Sequence, residues 1–232
     1  MRAILPIPLA CKAMIDAVVF DMDGVLIDSE ERWDAARRAV VAAAGRPFPD
    51  AATTAMQGMS APEWEAYLHD ELGVDQPPAE IGRAVVATMA QGYREALPLL
   101  PGATAAVQQL AAAYPLAIAS SANRELIELV LELADLHEHF RAYVSSEEVA
   151  RGKPAPDVYL EAARRLGVDP PRCAAVEDSS NGLRSAHAAG MAVVAVPNRA
   201  YPPDPDALAL ADLVVDRVDA VTAEVVALLR PV

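Results

Sequence analysis

Lysine is nearly missing from this chain: of 19 basic residues only Lys12 and Lys153 are lysines, the rest being arginine. A coding bias toward G and C explains an arginine excess without any function, so each lysine is a weak sign that an ammonium is needed where it stands. Cysteine is equally scarce. Cys11 and Cys173 lie far apart without CxxC spacing, which excludes a metal or disulfide framework and suits a reduced, cytoplasmic protein. No apolar run approaches the ~18 residues that a membrane span needs. The stretch from Met1 to Met14 is broken by Pro6 and Pro8 and lacks a small-residue cleavage pattern, so 1–13 reads as an N-terminal extension rather than a signal peptide. Positive charge is short as well. A net charge of -14 argues against nucleic acid and anionic membrane surfaces as partners. An anionic substrate must then be held by local charge.

What is present is a globular composition, 53% hydrophobic and 22% charged over 232 residues, enough for one large domain or a core with a smaller insert. The chain is organised around Val18-Val19-Phe20-Asp21-Met22-Asp23-Gly24, an apolar run too short for a helix that ends in two carboxylates and a glycine. It reads as a buried strand running into a turn. Side chains at i and i+2 of an extended chain point the same way, so Asp21 and Asp23 can face one small volume. Two carboxylates that close repel unless a cation or a proton lies between them. Taken alone, the pattern equally describes an Asp-rich turn that caps the next helix.

From Ser29 to Leu97 the spacing turns helical. Trp33, Ala36, Val40 and Val41 recur on one side of Glu30 to Ala44, a second helix runs from Ala61 to Leu72, and a third follows Pro77-Pro78 to about Ala96. The expected division is a helical cap over 29–97, with a catalytic core over 14–28 and 98–232, joined by linkers near Asp28 to Glu30 and Leu97 to Gly102 that act as a hinge. Beyond Ala103, helices alternate with short apolar strands at Leu116 to Ala119, Ala142 to Val144, Cys173 to Val176, Val193 to Val196 and Leu213 to Val215. That alternation specifies an α/β fold, a parallel sheet with helices on both faces. Ligands of such sheets bind at the carboxyl ends of the strands.

The residues at those ends are chemically complementary: Asp21 and Asp23, then Ser120, Ser121 and Asn123, then Lys153, then Glu177 and Asp178. Ser120 and the amides of Ser121, Ala122 and Asn123 open a helix, where unpaired N–H groups suit a phosphate, although an ordinary N-cap has the same signature. Lys153 is in a proline-bounded turn, where a solvated loop lysine is the alternative. Asp178 could equally cap the helix after it. Four carboxylates at one sheet edge repel strongly, and the simplest remedy is a hard divalent cation with oxygen ligands, which suits Mg2+ holding a phosphate.

Together and in this order, the four segments resemble the four motifs of the haloacid dehalogenase superfamily, in its phosphatase and phosphomutase branch with a helical cap. The resemblance spans Ile15 to about Val218. It implies a Rossmann-like core with an inserted cap, and a Mg2+-dependent phosphomonoester hydrolase working through an aspartyl phosphate. Asp21 would be the nucleophile and Asp23 the acid and base. Lys153 and Ser120 would hold phosphoryl oxygens, with Gly24, Ser121, Ala122, Asn123 and Trp33 bordering the substrate. Mg2+ would be bound by Asp21, the main-chain carbonyl of Asp23 and Asp178, with Glu177 in direct contact or one layer behind. The partner expected is a small phosphorylated metabolite, and the assembly a monomer or weak dimer.

Relatives that cleave carbon–halogen bonds lack the second aspartate, so Asp23 argues against dehalogenation; phosphonate-cleaving relatives use a cap lysine, and 29–97 contains none. Beta-phosphoglucomutases carry a cap histidine where this chain has Trp33, an arginine near Ala61 and a further lysine. Without them an acidic cap would bind a second phosphate poorly. The expectation is a sugar or polyol phosphate phosphatase, with a beta-phosphoglucomutase-like mutase and a phosphoglycolate phosphatase as alternatives. His137 and His139 lack a third ligand, and His69 and His187 read as surface residues. Trp64, Tyr67, Leu68, Met56, Met59 and Met89 read as packing.

Overall fold

A computed structural model describes residues 14–56 and 59–230; the expected extension over 1–13, with Cys11 and Lys12, lies outside them. Strand β1 (Ala17–Phe20) is buried along its whole length and occupies the middle of a six-stranded sheet. It is joined by β2 (Leu116–Ser120), β3 (Phe140–Ser145), β4 (Cys173–Glu177), β5 (Ala192–Ala195) and β6 (Leu213–Val214), in the order β3-β2-β1-β4-β5-β6. Every pairing is parallel. The chain winds outward from β1 to β3, returns across the sheet to β4 and winds outward again. The order therefore reverses at β1, and the crevice such a reversal opens lies at the carboxyl ends of β1, β2 and β4.

Alternation along the strands sorts the two faces. Val18, Phe20, Leu116, Ile118, Val176 and Val194 pack against one layer, with Phe20 edge-on to Phe140. Ala17, Val19, Ala117, Ala119, Ala175 and Ala195 form the other face, whose small side chains let helices approach closely. Helices α5 (Ala103–Ala111), α6 (Arg124–Leu133) and α10 (Ala223–Leu228) cover the first face, and α7 (Asp157–Leu166), α8 (Ser180–Ala188) and α9 (Pro205–Leu208) the second.

Between β1 and α5 the chain inserts four helices, α1 (Glu30–Ala43), α2 (Asp50–Ala55), α3 (Ala61–Asp70) and α4 (Pro78–Glu95). The start of α3 is fixed by Glu63, whose carboxylate accepts the Ser60 amide at 2.7 Å, with Pro62 in the first turn. Trp33, Val41, Trp64, Leu68, Ile81, Val85 and Met89 bury their side chains among these helices. The outgoing and returning segments pair with each other: Ile27 bridges Leu99 antiparallel, the Asp28 amide donates to the Pro98 carbonyl at 2.8 Å, and the Leu100 amide to the Leu26 carbonyl at 2.9 Å.

The strands and long helices lie within two residues of the expected positions. Helices α2, α9 and α10 were not anticipated. Each is six residues or fewer and buries one side chain, respectively Ala52, Ala207 and Val226, which is too little to set up a periodic pattern.

Candidate active site

The site is assembled by β1 ending where it does. The Asp21 amide makes the last bond of the ladder, to the Val176 carbonyl at 2.9 Å, and Met22 then turns into the core while Asp21 and Asp23 face the crevice. The backbone reverses at Gly24 (φ 77°), whose amide donates to the Ile27 carbonyl at 2.8 Å. A positive φ favours glycine, and so does the space. A Cβ on Gly24 would lie 1.9 Å from Asp178 Oδ2. Gly24 is expected at the substrate, but it does not line the cavity: it is packed behind Asp178 and makes room for that carboxylate.

Lys153 is buried between two carboxylates, its Nζ 2.9 Å from Asp21 Oδ1 and 2.6 Å from Glu177 Oε1. The ion pair is all that reaches Asp21 Oδ1, which has no aligned hydrogen-bond donor. Burial pulls the Lys153 ammonium toward losing its proton, but the charges of Asp21 and Glu177 outweigh this and raise its pKa.

Glu177 is saturated. Oε1 accepts from Lys153 and from the Tyr159 hydroxyl at 2.8 Å, while Oε2 accepts from the Asp178 amide at 3.0 Å and from the amide and hydroxyl of Ser179. A Cβ on Gly182 would fall 1.9 Å from Glu177 Oε1, so the carboxylate is closed in from that side as well. Asp21, Glu177 and Asp178 bring carboxylate oxygens within 4.8 Å of one another, but with both Glu177 oxygens engaged by protein donors, Asp21 and Asp178 are the pair with capacity to spare. Burial, with Glu177 and Asp23 adding to it, pushes Asp21 up to about 8, and burial likewise holds Asp178 well above the usual carboxylate range. Such crowding of hard oxygen donors fits a divalent cation of the Mg2+ type.

Asp23 faces the inserted helices. Its Oδ1 accepts a short bond from the Ser29 hydroxyl and one from Trp33 Nε1 at 3.2 Å, and the Ser120 hydroxyl approaches Oδ2 at 3.4 Å. Burial raises its pKa against the opposing pull of the Ser29 and Trp33 bonds.

Asp21, Asp23, Trp33, Ser121, Ala122, Lys153 and Asp178 line one cavity of about 140 Å³. Ser120 stands at its wall through Asp23, and its Oγ accepts the Ala122 amide at 3.0 Å, so that amide is already engaged. Asn123 is not on the cavity. It precedes α6 and lines the neighbouring wider cleft instead, where its Nδ2 donates to Glu147 at 2.6 Å and the Arg124 amide donates to the same carboxylate at 3.0 Å. A wider cleft of about 1080 Å³, between α3 and α4 on one side and the loops after β2 and β3 on the other, shares Ser121 and Lys153 with the cavity.

Three features differ from expectation. Met56, Met59 and Trp64 border the cavity instead of serving only as packing. The inserted helices do present a cation there, Arg37, whose sequence signal was its place at i+4 from Trp33 in a stripe otherwise apolar. Tyr159 was also missed, because an aromatic residue on the inner face of a helix looks like core until its hydroxyl finds Glu177.

The sequence profile of the haloacid dehalogenase-like hydrolases matches residues 15–190. Hexitol phosphatase B of Escherichia coli K12 is 36% identical over 215 residues, covering 90% of this chain and 95% of the relative. The fructose-1-phosphate phosphatase YqaB of the same organism is 33% identical over 184 residues, 77% of this chain and 95% of its own. Among solved structures, CbbY of Rhodobacter sphaeroides in complex with phosphate superposes with a TM-score of 0.80 at 28% identity, covering 89% of this chain and 96% of CbbY.

Proposed function

This chain belongs to the haloacid dehalogenase-like hydrolases, and on that premise we propose that it is a Mg2+-dependent phosphatase of small sugar or polyol monophosphates. The observation that carries the reading is the division of labour between the two aspartates. Asp21 is tied through Lys153 to Glu177 in the core, and Asp23 is tied to the inserted helices through Ser29 and Trp33.

Asp21 attacks phosphorus in line through one carboxylate oxygen, and the ester P–O bond breaks. The raised pKa of Asp23 keeps a proton available for the departing alkoxide. Asp23, now ionised, takes a proton from water as that water attacks the aspartyl phosphate, which releases phosphate and restores Asp21. Lys153, Ser120 and the Ser121 backbone meet phosphoryl oxygens whose charge must be held through both steps. Asp21, Asp178 and the Asp23 carbonyl are the groups that would hold Mg2+, with Glu177 positioning Lys153 from behind. When bound, the ion supplies positive charge that keeps Asp21 ionised and offsets the charge of the incoming phosphate.

Phosphate release from hexitol and hexose phosphates, with and without Mg2+, tests the reading beside an assay for conversion of beta-glucose 1-phosphate to glucose 6-phosphate. Mutase turnover exceeding phosphate release would replace the hydrolase with the mutase, and a strong preference for phosphoglycolate would keep the hydrolase and discard the sugar.

A further inference from the structure

Along α1 the buried positions are Trp33, Ala36, Val40 and Val41, and the half-buried Arg37 shares their side, so an arginine fills one slot of an apolar stripe. Its guanidinium carbon lies 5.2 Å from the ring centroids of both Trp33 and Trp64, which are 6.1 Å apart and inclined at 57°. The neighbouring Arg38 takes Asp34 at 2.6 Å. Arg37 has no such partner among the described residues, and its Nε is buried without a hydrogen bond. A buried N–H without an acceptor is costly unless something completes it, and the cavity that the half-buried Arg37 borders opens directly onto Asp21 and Asp23.

We infer that Arg37, clamped by Trp33 and Trp64 and faced by Glu30, selects the leaving group of this enzyme by donating to hydroxyl oxygens of a neutral, polyhydroxylated alcohol. The inference rests on the phosphatase reading above for the identity of the substrate. The surroundings decide between hydroxyls and a second anion. Glu30 lines the same cavity and is the foremost charge acting on Arg37, while Asp34 is taken by Arg38, so one guanidinium faced by one carboxylate leaves no net positive charge for a second phosphate or a carboxylate. A hydroxyl both donates and accepts, and so can satisfy Arg37 and Glu30 together, while the indole faces cover the C–H surface of the alcohol.

Trp33 and Trp64 are the chain's two tryptophans, so its intrinsic indole emission reports on this cavity without any turnover. In the Asp21→Asn enzyme with Mg2+, a hexitol 6-phosphate is expected to change that emission and to bind at least about tenfold more tightly than ethyl phosphate. Adding Arg37→Gln should shrink the margin to within about twofold. In the otherwise unaltered enzyme the same substitution should lower the ratio of kcat/KM for the two substrates by about tenfold or more. Arg37→Lys keeps the charge but loses the planar fork; it should show part of the same narrowing, and it replaces the glutamine variant if that one does not fold. Equal losses on both phosphates, no emission change with the hexitol phosphate, or tighter binding of a hexose bisphosphate would each overturn the inference. Selective binding without turnover of any phosphate would instead strike the proposed reaction and leave the subsite standing. Turnover with an unchanged ratio does the reverse.

Discussion

Asp178 places its carboxylate in the space that a side chain on Gly24 would occupy: a Cβ there would lie 1.9 Å from Oδ2 and 2.4 Å from Cγ. The turn after β1 and the loop after β4 are thus fitted to one another. Gly24→Ala must push Asp178 aside and also place a side chain at φ 77°, which alone costs roughly 1–2 kcal/mol. The expected result is a fall in kcat/KM of about a hundredfold or more with a much weaker response to Mg2+, beside a melting temperature lower by only about 2–8 °C. Kinetics across a Mg2+ titration, with thermal melts, check it; normal Mg2+ dependence would mean that the carboxylate does not need this space.

Asp23 and Asp21 can be separated by choice of leaving group. Nitrophenolate departs without a proton, so Asp23→Asn should still be phosphorylated at Asp21 by p-nitrophenyl phosphate, then stall because water lacks its base. Rapid mixing should give a burst of about one equivalent of nitrophenol per enzyme followed by slow turnover. With a hexitol phosphate no burst should appear. Asp21→Asn should give none with either substrate.

The carboxylate cluster makes metal-free protein sensitive to alkali. Asp21 is held up at about 8 and Asp178 well above the usual range, against 3.8 for both in an open chain. The folded form thus binds more protons than the unfolded form between those values, and this contribution to stability is lost as pH rises through the folded pKa. In EDTA the melting temperature should fall from about pH 5 to about pH 8, and Mg2+ should restore most at the upper end, where no proton has to be displaced. Melts over that range decide it. A metal-free melting temperature that climbs steadily across the window would contradict the assignment.

A cavity of about 140 Å³ is well below the roughly 300 Å³ at the lower limit of ordinary small-molecule sites. The wider cleft of about 1080 Å³ joins it only at Ser121 and Lys153, so for a phosphorylated hexitol to sit over both aspartates the four inserted helices are expected to swing away about the paired segments at Ile27 and Leu99 and to close again over it. Small-angle scattering with and without a phosphate analogue should show a more compact particle when ligand is present. Identical curves, with ligand binding shown separately, would remove the hinge.

The sheet was legible because its central strands β1, β2 and β4 are short apolar runs that end in polar residues, a pattern that tertiary context has little scope to overrule. That the candidate residues meet was legible for the same reason: strand ends carry Asp21, Ser120 and Glu177, and a parallel sheet brings strand ends together. What stayed hidden depends on side-chain direction. Arg37 and Tyr159 are single residues on helices: the apolar stripe around Arg37 says which way it points but not that two indoles and the cavity await it, and nothing local tells a tyrosine whose hydroxyl grips Glu177 from one that only fills space. Glu147 was hidden likewise, since its hold on the start of α6 comes from a loop more than twenty residues away.

The bridge between Ile27 and Leu99 also bears on how such a protein can change over generations. The chain leaves the sheet and comes back at points joined by hydrogen bonds between Asp28 and Pro98 and between Leu26 and Leu100. Whatever is spliced between those points begins and ends in one place, and lengthening it costs little in loop-closure entropy. The insertion is accordingly an exchangeable cassette. A foreign segment grafted between the same two residues would have to bring back the Ser29 hydroxyl and the Trp33 indole that bind Asp23, and beyond those two contacts it is free to differ.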